Sequence, residues 1–436
     1  MCPKWFDDLQ HGIPVNKYSV RISMGETAMD DEFVNTWPWH FIAALVLSVL
    51  TIAGSVWAPN LLPYDSSLSD YFRVTRANHI AKQRDSEPDI TLVIIGEYFI
   101  NQLPYRSPVD RCVLAAGISS IMTLNPKVIG IDFLFDKKTE SHKDNLLRQV
   151  IQDYQDALVV AVNATDDANI NMPGAVKTED SFSTGEAQAS ALLKKDADYV
   201  VRNALLDDAG VPAFAARLVE KYRGAFTTKH SANEFQIDWL ARDSGRGDAF
   251  SKMPLEVFLD QSVNEQCAVD LDLPAEDRRQ FLRPLLENKI VIIGADLERE
   301  DRHITPFDSV WHEKVALSGA EIHANIAQQI IDERSIHNVR WYVTLAILFV
   351  SFLASLLIAE KSKAKKWPRY MVLLGPLFLA LLLSGVNWLF IFKFGLVLPT
   401  GLVAVAIGAN VLLELFRDMI CNGCGTVISQ VRDLLK

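Results

Sequence analysis

The sequence predicts an α/β extracytoplasmic domain, its sheet mostly parallel or mixed with helices on both faces, joined to a four-helix transmembrane region. Three observations carry this reading. Short unbroken apolar runs, KVIGIDFLFD (127–136) and KIVIIGA (289–295), end in small or acidic residues. Apolar runs of 18 residues or more lie on either side of the region that holds them. One strongly basic loop, EKSKAKKWPR (360–369), separates two of the long runs.

A hydrocarbon core of ~30 Å takes roughly 20 residues of helix. Four segments approach that length: Phe41–Ala58, Trp341–Ala359, Tyr370–Phe392 and about Gly395–Leu413. Trp37, Trp39, Trp57, Trp341 and Tyr342 sit where an interfacial aromatic belt belongs. The first segment starts behind Asp30, Asp31 and Glu32 and is followed by no small-x-small cleavage site, so it reads as an anchor rather than a signal peptide. The loop 360–369 holds Lys361, Lys363, Lys365, Lys366 and Arg369 against one acid, and the positive-inside rule places it in the cytoplasm. Counting spans from it gives a cytoplasmic tail (1–40), a span (41–58), an extracytoplasmic domain (60–338), three further spans (341–413) and a short cytoplasmic tail (414–436). That is a multi-pass protein of a bacterial inner membrane, with the lipid bilayer as its first partner. Gly375, Gly385, Gly401, Ala404 and Gly408 let helices approach closely, which would suit a homo-oligomer formed through the spans. No Asp or Glu lies mid-membrane, so an ion pathway has no support.

Inside the domain, Asp89–Ile95 reads as a buried strand bounded by Pro88 and Gly96. A helix follows, with Ser107 as N-cap, Pro108 at its first position and Val109, Cys112, Val113 and Ala116 along one face. Val128–Phe135 is a second strand. Leu146, Leu147, Val150, Ile151 and Tyr154 mark a second helix, and Ala157–Val162 a third strand. Ile290–Ile293 is a further central strand, after a polar surface excursion at Asn163–Ser190. Ile322, Ile326 and Ile330, with Ala327, form the buried stripe of a closing helix. Strands without alternation imply a sheet covered on both faces.

These residues, in order, resemble the type-2 CHASE domain, a sensory extracellular module associated with cyclases and histidine kinases. The resemblance runs through DITLVIIGEYF (89–99), the helix start Pro108–Arg111, VIGIDFLFD (128–136), FSKMPLEVFL (250–259), NKIVIIGADLEREDRHITPF (288–307) and SGAEIHANIAQQII (318–331). It covers about residues 65–335, and three closing transmembrane helices are also typical of the family. Gly96-Glu97 stands where the family has an acidic pair, and LPYRSPVDR (103–111) stands where it has Trp-Pro-Trp. The family leads to the expectation of an effector domain after the last span. With residues 414–436 read as only a short tail, the expectation is a sensor without an effector of its own, which the resemblance then implies signals through a separately encoded effector or envelope protein. The alternative is a structural or scaffold subunit of an envelope complex, whose crevice would be filled by side chains.

The net charge of −11 argues against nucleic acid as a partner. No GxxxxGK, GxSxG, HExxH or GxGxxG motif is present, so no enzyme activity, catalytic residue or cofactor is expected. Carboxylates end strands at Glu97, Asp132 and Asp296, the edge of an open α/β sheet where ligands bind. With Arg111 and His323 they form the candidate set for an unknown small ligand, although Asp132 paired to Arg111 or to a backbone amide would equally serve the fold. His303, His312 and His323, with Asp308 and Glu313, fit no zinc spacing, so no metal is expected. Five cysteines are too few and too scattered for a disulfide framework, and Cys112 is expected in the core. Cys421 and Cys424 alone make half a zinc site. Val427, Val431 and Leu434, spaced for one helical face, are the candidate partner contact in the tail.

Overall fold

Unbroken apolar strands bury side chains on both faces, and helices must supply the cover. The computed structural model describes residues 63–84, 86–135, 138–163, 187–225, 233–241, 249–273, 279–298, 300–311, 316–338 and 341–364, with a few isolated positions elsewhere. The chain divides into one unit of Ser67–His337 and a second made of Met1–Ser66 with Asn338–Lys436.

Six strands form the main sheet of the first unit: β1 (Ile90–Gly96), β2 (Val128–Ile131), β3 (Leu158–Val162), β4 (Gln188–Ser190), β5 (Ser251–Pro254) and β6 (Ile290–Asp296). Their order is β4-β3-β2-β6-β1-β5, and every neighbouring pair is parallel. The helices are α1 (Pro63–Gln83), α2 (Glu97–Ile100), α3 (Arg111–Met122), α4 (Ser141–Asp153), α5 (Phe214–Arg223), α6 (Ser262–Cys267), α7 (Arg279–Leu286), α8 (Pro306–Trp311), α9 (Gly319–Ile331) and α10 (Trp341–Ala364).

Successive strand residues point to opposite faces. Val93, Ile95, Ile129, Ile131, Val291 and Ile293 join α3 and α4 in one apolar core. Leu92, Ile94, Val128, Ile290 and Ile292 join α5 and α9 in the other. The helices following β1 and β2 thus cover one face, and the helix following β6, which lies between them, covers the opposite one. That reversal opens a crevice at the carboxyl end of β6. Close helix approach on the α9 side depends on glycine. A Cβ on Gly294 would lie 2.6 Å from Ala320 Cβ, and one on Gly130 would lie 2.8 Å from the Phe214 ring.

Helix α9 is buried over nearly its whole length, polar residues included. Asn325 Oδ1 accepts the Leu240 N–H (2.9 Å) and Gln329 Oε1 accepts the Asp238 N–H (2.7 Å). Four helical residues rise about 6 Å and two extended residues advance about 6.6 Å, so amides four apart on a helix meet alternate N–H groups of an extended segment.

Several details differ from the sequence reading. Helix α3 starts at Arg111, capped by Asp110, whose carboxylate accepts Cys112 N–H and Val113 N–H. Ser107 and Pro108 lie outside it, because a carboxylate three residues beyond Ser107 satisfies the free amides better than the Ser107 hydroxyl. The second strand ends at Ile131 rather than Phe135. The excursion expected at Asn163–Ser190 closes with strand β4 at the sheet edge. Cys112 is buried as expected, but it is bonded to Cys267, so the scattered cysteines do contain one bridge, closing a sequence separation of 155. Sequence distance is no guide to spatial distance here: α3 and α6 contribute to the same apolar core.

In the second unit, α10 continues to Ala364, five residues into the predicted basic loop, because alanine and lysine are good helix formers. Among the described residues no helix is long and apolar enough to cross a membrane. In α10, described side chains are confined to 342–354 and 357. Most of the first predicted span, nearly all of the third and fourth, the tails 1–40 and 414–436, Cys421, Cys424, Val427, Val431 and Leu434 lie outside the described residues.

Gly294→Ala should therefore push α9 off the sheet and destabilise the domain by about 1–3 kcal/mol. Ala320→Gly in the same chain should recover most of that loss, read from thermal midpoints of the two variants. A Gly294→Ala chain as stable as the parent would contradict the packing.

Candidate functional site

At the carboxyl ends of β2, β3 and β6 lies a cavity of about 580 Å³. Its wall includes Asp132, which follows β2; Asn163, which follows β3; Leu192 and Lys195, beyond β4; Ala295, Leu297, Glu300, Asp301 and His303, at and after β6; and Gly319 and His323 of α9. Ile100, Arg106 and Arg111, between β1 and the start of α3, also line it, as do Phe133 and Leu193.

Two carboxylates converge on the first residue of α9. Asp301 sits at φ +52, a left-handed conformation that Asp tolerates better than most side chains. From there its carboxylate accepts the Gly319 N–H (3.1 Å) and meets His303 Nε2 (3.0 Å). Asp132 approaches from the other side: a Cβ on Gly319 would stand 3.0 Å from Asp301 Oδ2 and 3.2 Å from Asp132 Oδ2. Glycine is thus what lets both acids reach the helix start. The Glu321 and Ser318 N–H groups are satisfied internally, by a capping box between these two residues.

The Asp132 side chain is only 10% exposed, and His323 Nε2 stands 4.0 Å from it, beyond hydrogen-bond range. Burial first, and the Asp301 charge second, push the Asp132 carboxyl up to about 8. Burial drives His323 down to about 4. Both are therefore neutral near pH 7, a protonated acid beside a neutral imidazole. Phe214 stacks edge-on against the His323 ring at 5.0 Å.

The cavity brings together Arg111, Asp132 and His323 from the predicted set. Arg111 does not hold Asp132. It is 1% exposed, stacks over Phe135 (4.4 Å) and stands 4.0 Å from Asp144. Glu97 reaches the cavity only through Arg106, which it binds with both oxygens (2.5 and 3.2 Å). That guanidinium holds the Glu97 carboxyl below the usual range. Asp296 lies outside the lining, on the opposite strand face from Ala295, where Lys252 (3.1 Å) and Arg302 (2.5 Å) bind it. Sequence reasoning missed Asp301, Gly319 and Lys195 as wall residues. Asp301 was findable as a carboxylate in the loop leaving β6, whereas nothing near Lys195 marks it. Among the described residues no group of three or more His, Cys, Asp or Glu side chains is arranged to hold a metal ion. His312 and Glu313 lie outside the described residues.

Compared with known families, residues 42–358 match the CHASE2 domain. The chain belongs to the CHASE2 family. CHASE2 domains are sensory modules of extracellular type, and the parallel sheet with its crevice is the core of this one. No curated protein and no solved structure shows a match to the chain.

The neutral pair gives the CHASE2 domain a definite pH signature. An unfolded Asp ionises near 3.8 whereas folded Asp132 holds its proton to about 8, so between those values the folded state binds the extra proton and stability falls as pH rises. His323 acts with the opposite sign between about 4 and 6.5, where the unfolded chain holds the extra proton. The two offset each other below pH 6.5, and only the Asp132 effect remains from there to 8. Facing Asp132 are His323 from α9, Asp301, His303 and Glu300 after β6, Arg106 and Arg111 after β1, and Lys195 after β4. Denaturant titrations should show stability falling by about 2 kcal/mol between pH 6.5 and 8, with Asp132→Asn flattening that slope. An unchanged slope in the variant would assign the titration elsewhere.

Proposed function

We propose that this CHASE2 protein is a multi-pass membrane sensor. Its Ser67–His337 domain faces the extracytoplasmic side, takes a small ligand in the crevice at the strand ends and passes the change to a separate protein. The observation that carries this reading is the cavity itself. A scaffold would be expected to fill that crevice with side chains, and here it stays open around a buried carboxyl group.

Three further facts support it. CHASE2 domains are of extracellular sensory type. The Cys112–Cys267 bridge belongs in an oxidising compartment rather than in the reducing cytosol. The apolar runs and the basic loop 360–369 follow the positive-inside pattern.

A route from the cavity to the ends of the domain runs through α9. Its first turn borders the cavity. Its last residue is followed by Asp332, which binds Arg84 (2.7 Å) and Arg334 (3.1 Å). Asp238, 1% exposed, is gripped by both Arg76 nitrogens of α1 (2.9 Å each) and by Arg334 (3.4 Å). One carboxylate therefore ties the helix at the start of the domain to the segment at its close. A ligand that favours one placement of α9 acts on both by its difference in affinity for the two states.

Placement is tested by cysteine labelling in spheroplasts, after Cys2, Cys421 and Cys424 are changed to Ser. Phe281→Cys, at a side chain 73% exposed on α7, should react with an impermeant maleimide in intact spheroplasts, and Lys363→Cys only after permeabilisation. The reverse pattern would overturn the reading. Separately, Asp238→Asn should cost about 3–5 kcal/mol of domain stability, because it removes the buried charge that Arg76 and Arg334 share. A loss below 1 kcal/mol would remove Asp238 as the tie.

A further inference from the structure

The cavity's wall is not electrostatically neutral in its demands. Arg106 is already occupied by Glu97 and lies 3.5 Å from Glu300. Arg111 is stacked on Phe135 and close to Asp144. The Gly319 N–H at the start of α9 is taken by Asp301. Among the wall acids, Asp132 has neither an arginine nor a lysine beside it. Nine-tenths buried on the cavity wall, its carboxyl group stands 4.0 Å from His323 Nε2, beyond hydrogen-bond range. A donor on a ligand would give this carboxyl group the hydrogen bond that its protein neighbours do not. Beside it stands a second carboxylate, Asp301, whose charge makes the spot unfavourable for any anion. Around these acids the wall turns apolar, with Phe133, Leu192, Leu193 and Leu297.

We propose that the cavity binds a small organic cation, a primary or secondary amine with an apolar body, its ammonium on Asp132 and Asp301 and its body against Phe133, Leu192 and Leu193. The assignment rests on the sensory reading above only for its biological meaning. The cavity's chemistry is independent of which side of a membrane it faces. An ammonium offers up to three donors and a positive charge, matching one acid with no arginine or lysine beside it and one partly used one. A metal ion would need a closed shell of ligands, and among the described residues none is arranged for it.

The test uses the full-length chain purified in detergent at pH 8. The probes are phenethylamine, its neutral counterpart 2-phenylethanol and the anion 3-phenylpropionate, and binding is measured by calorimetry and by thermal midpoint. Phenethylamine should bind at least tenfold more tightly than the alcohol, with no binding of the carboxylate. Asp132→Asn should weaken the amine at least tenfold without weakening the alcohol, and Asp301→Asn should weaken it less. If Asp132→Asn does not fold, Phe133→Ala serves in its place and should weaken amine and alcohol alike. Equal binding of amine and alcohol, preference for the carboxylate, or no binding of any probe would each overturn the amine assignment. Carboxylate binding would do so while leaving a ligand-sensing cavity in place. Labelling of the domain from the cytoplasmic side would overturn the sensory placement while leaving the amine result as measured.

Discussion

A helix buried on every side must find a partner for each polar group it carries, and α9 is that helix. Gly319 to Ile330 are all buried, and among them stand Glu321, His323, Asn325, Gln328 and Gln329. Asn325 and Gln329 replace a missing strand by accepting alternate N–H groups of 238–240, and Gln328 accepts the Asp89 N–H at the mouth of β1 (2.9 Å). Glu321 closes the capping box. With these satisfied, α9 can lie against Gly294 and close the second apolar core. Remove the amide partners and the segment 236–241 would have buried donors with nowhere to go.

The same helix sets the geometry of the cavity. His323 is the one polar residue of α9 that faces the crevice, and Gly319 is small enough to leave both acids at the helix start. The far end of α9 joins the Asp332, Arg84 and Arg334 ion pairs, and through Arg334 the Asp238–Arg76 pair. Buried charges held this way contribute little net stability against apolar substitutes, but they fix one arrangement, and breaking one partner is costly. A crevice at one end and a charge-locked exit at the other are what a sensing domain needs in order to convert occupancy into displacement.

Much of this was legible because the sheet is parallel and covered on both faces. β1, β2, β3 and β6 announce themselves as apolar runs, and α4 and the apolar stripe of α9 as helical periodicities. The carboxyl-end rule then pointed to Asp132 without reference to any contact. What stayed hidden was encoded in polar residues. Helix α1 was missed because its buried face mixes Asp70 and Arg73 with Phe72, Val74 and Ala77, which breaks the apolar period. β4 and β5 are edge strands of three and four residues, too short to carry a pattern. The Cys112–Cys267 bridge spans elements that only the fold brings together. Asp296 looked like a twin of Asp132 because both end strands, yet strand parity turns it toward Lys252 and Arg302.

Helix α9 is a rigid spine whose amide side chains stand in for a strand. Amide hydrogen exchange measured on the intact chain tests it directly. Residues 322–331 should exchange only through global opening of the domain, and the Asp238 and Leu240 amides, paired to Gln329 and Asn325, should share that protection. Exchange of 238–240 at the rate of an exposed loop, while α9 stays protected, would contradict it.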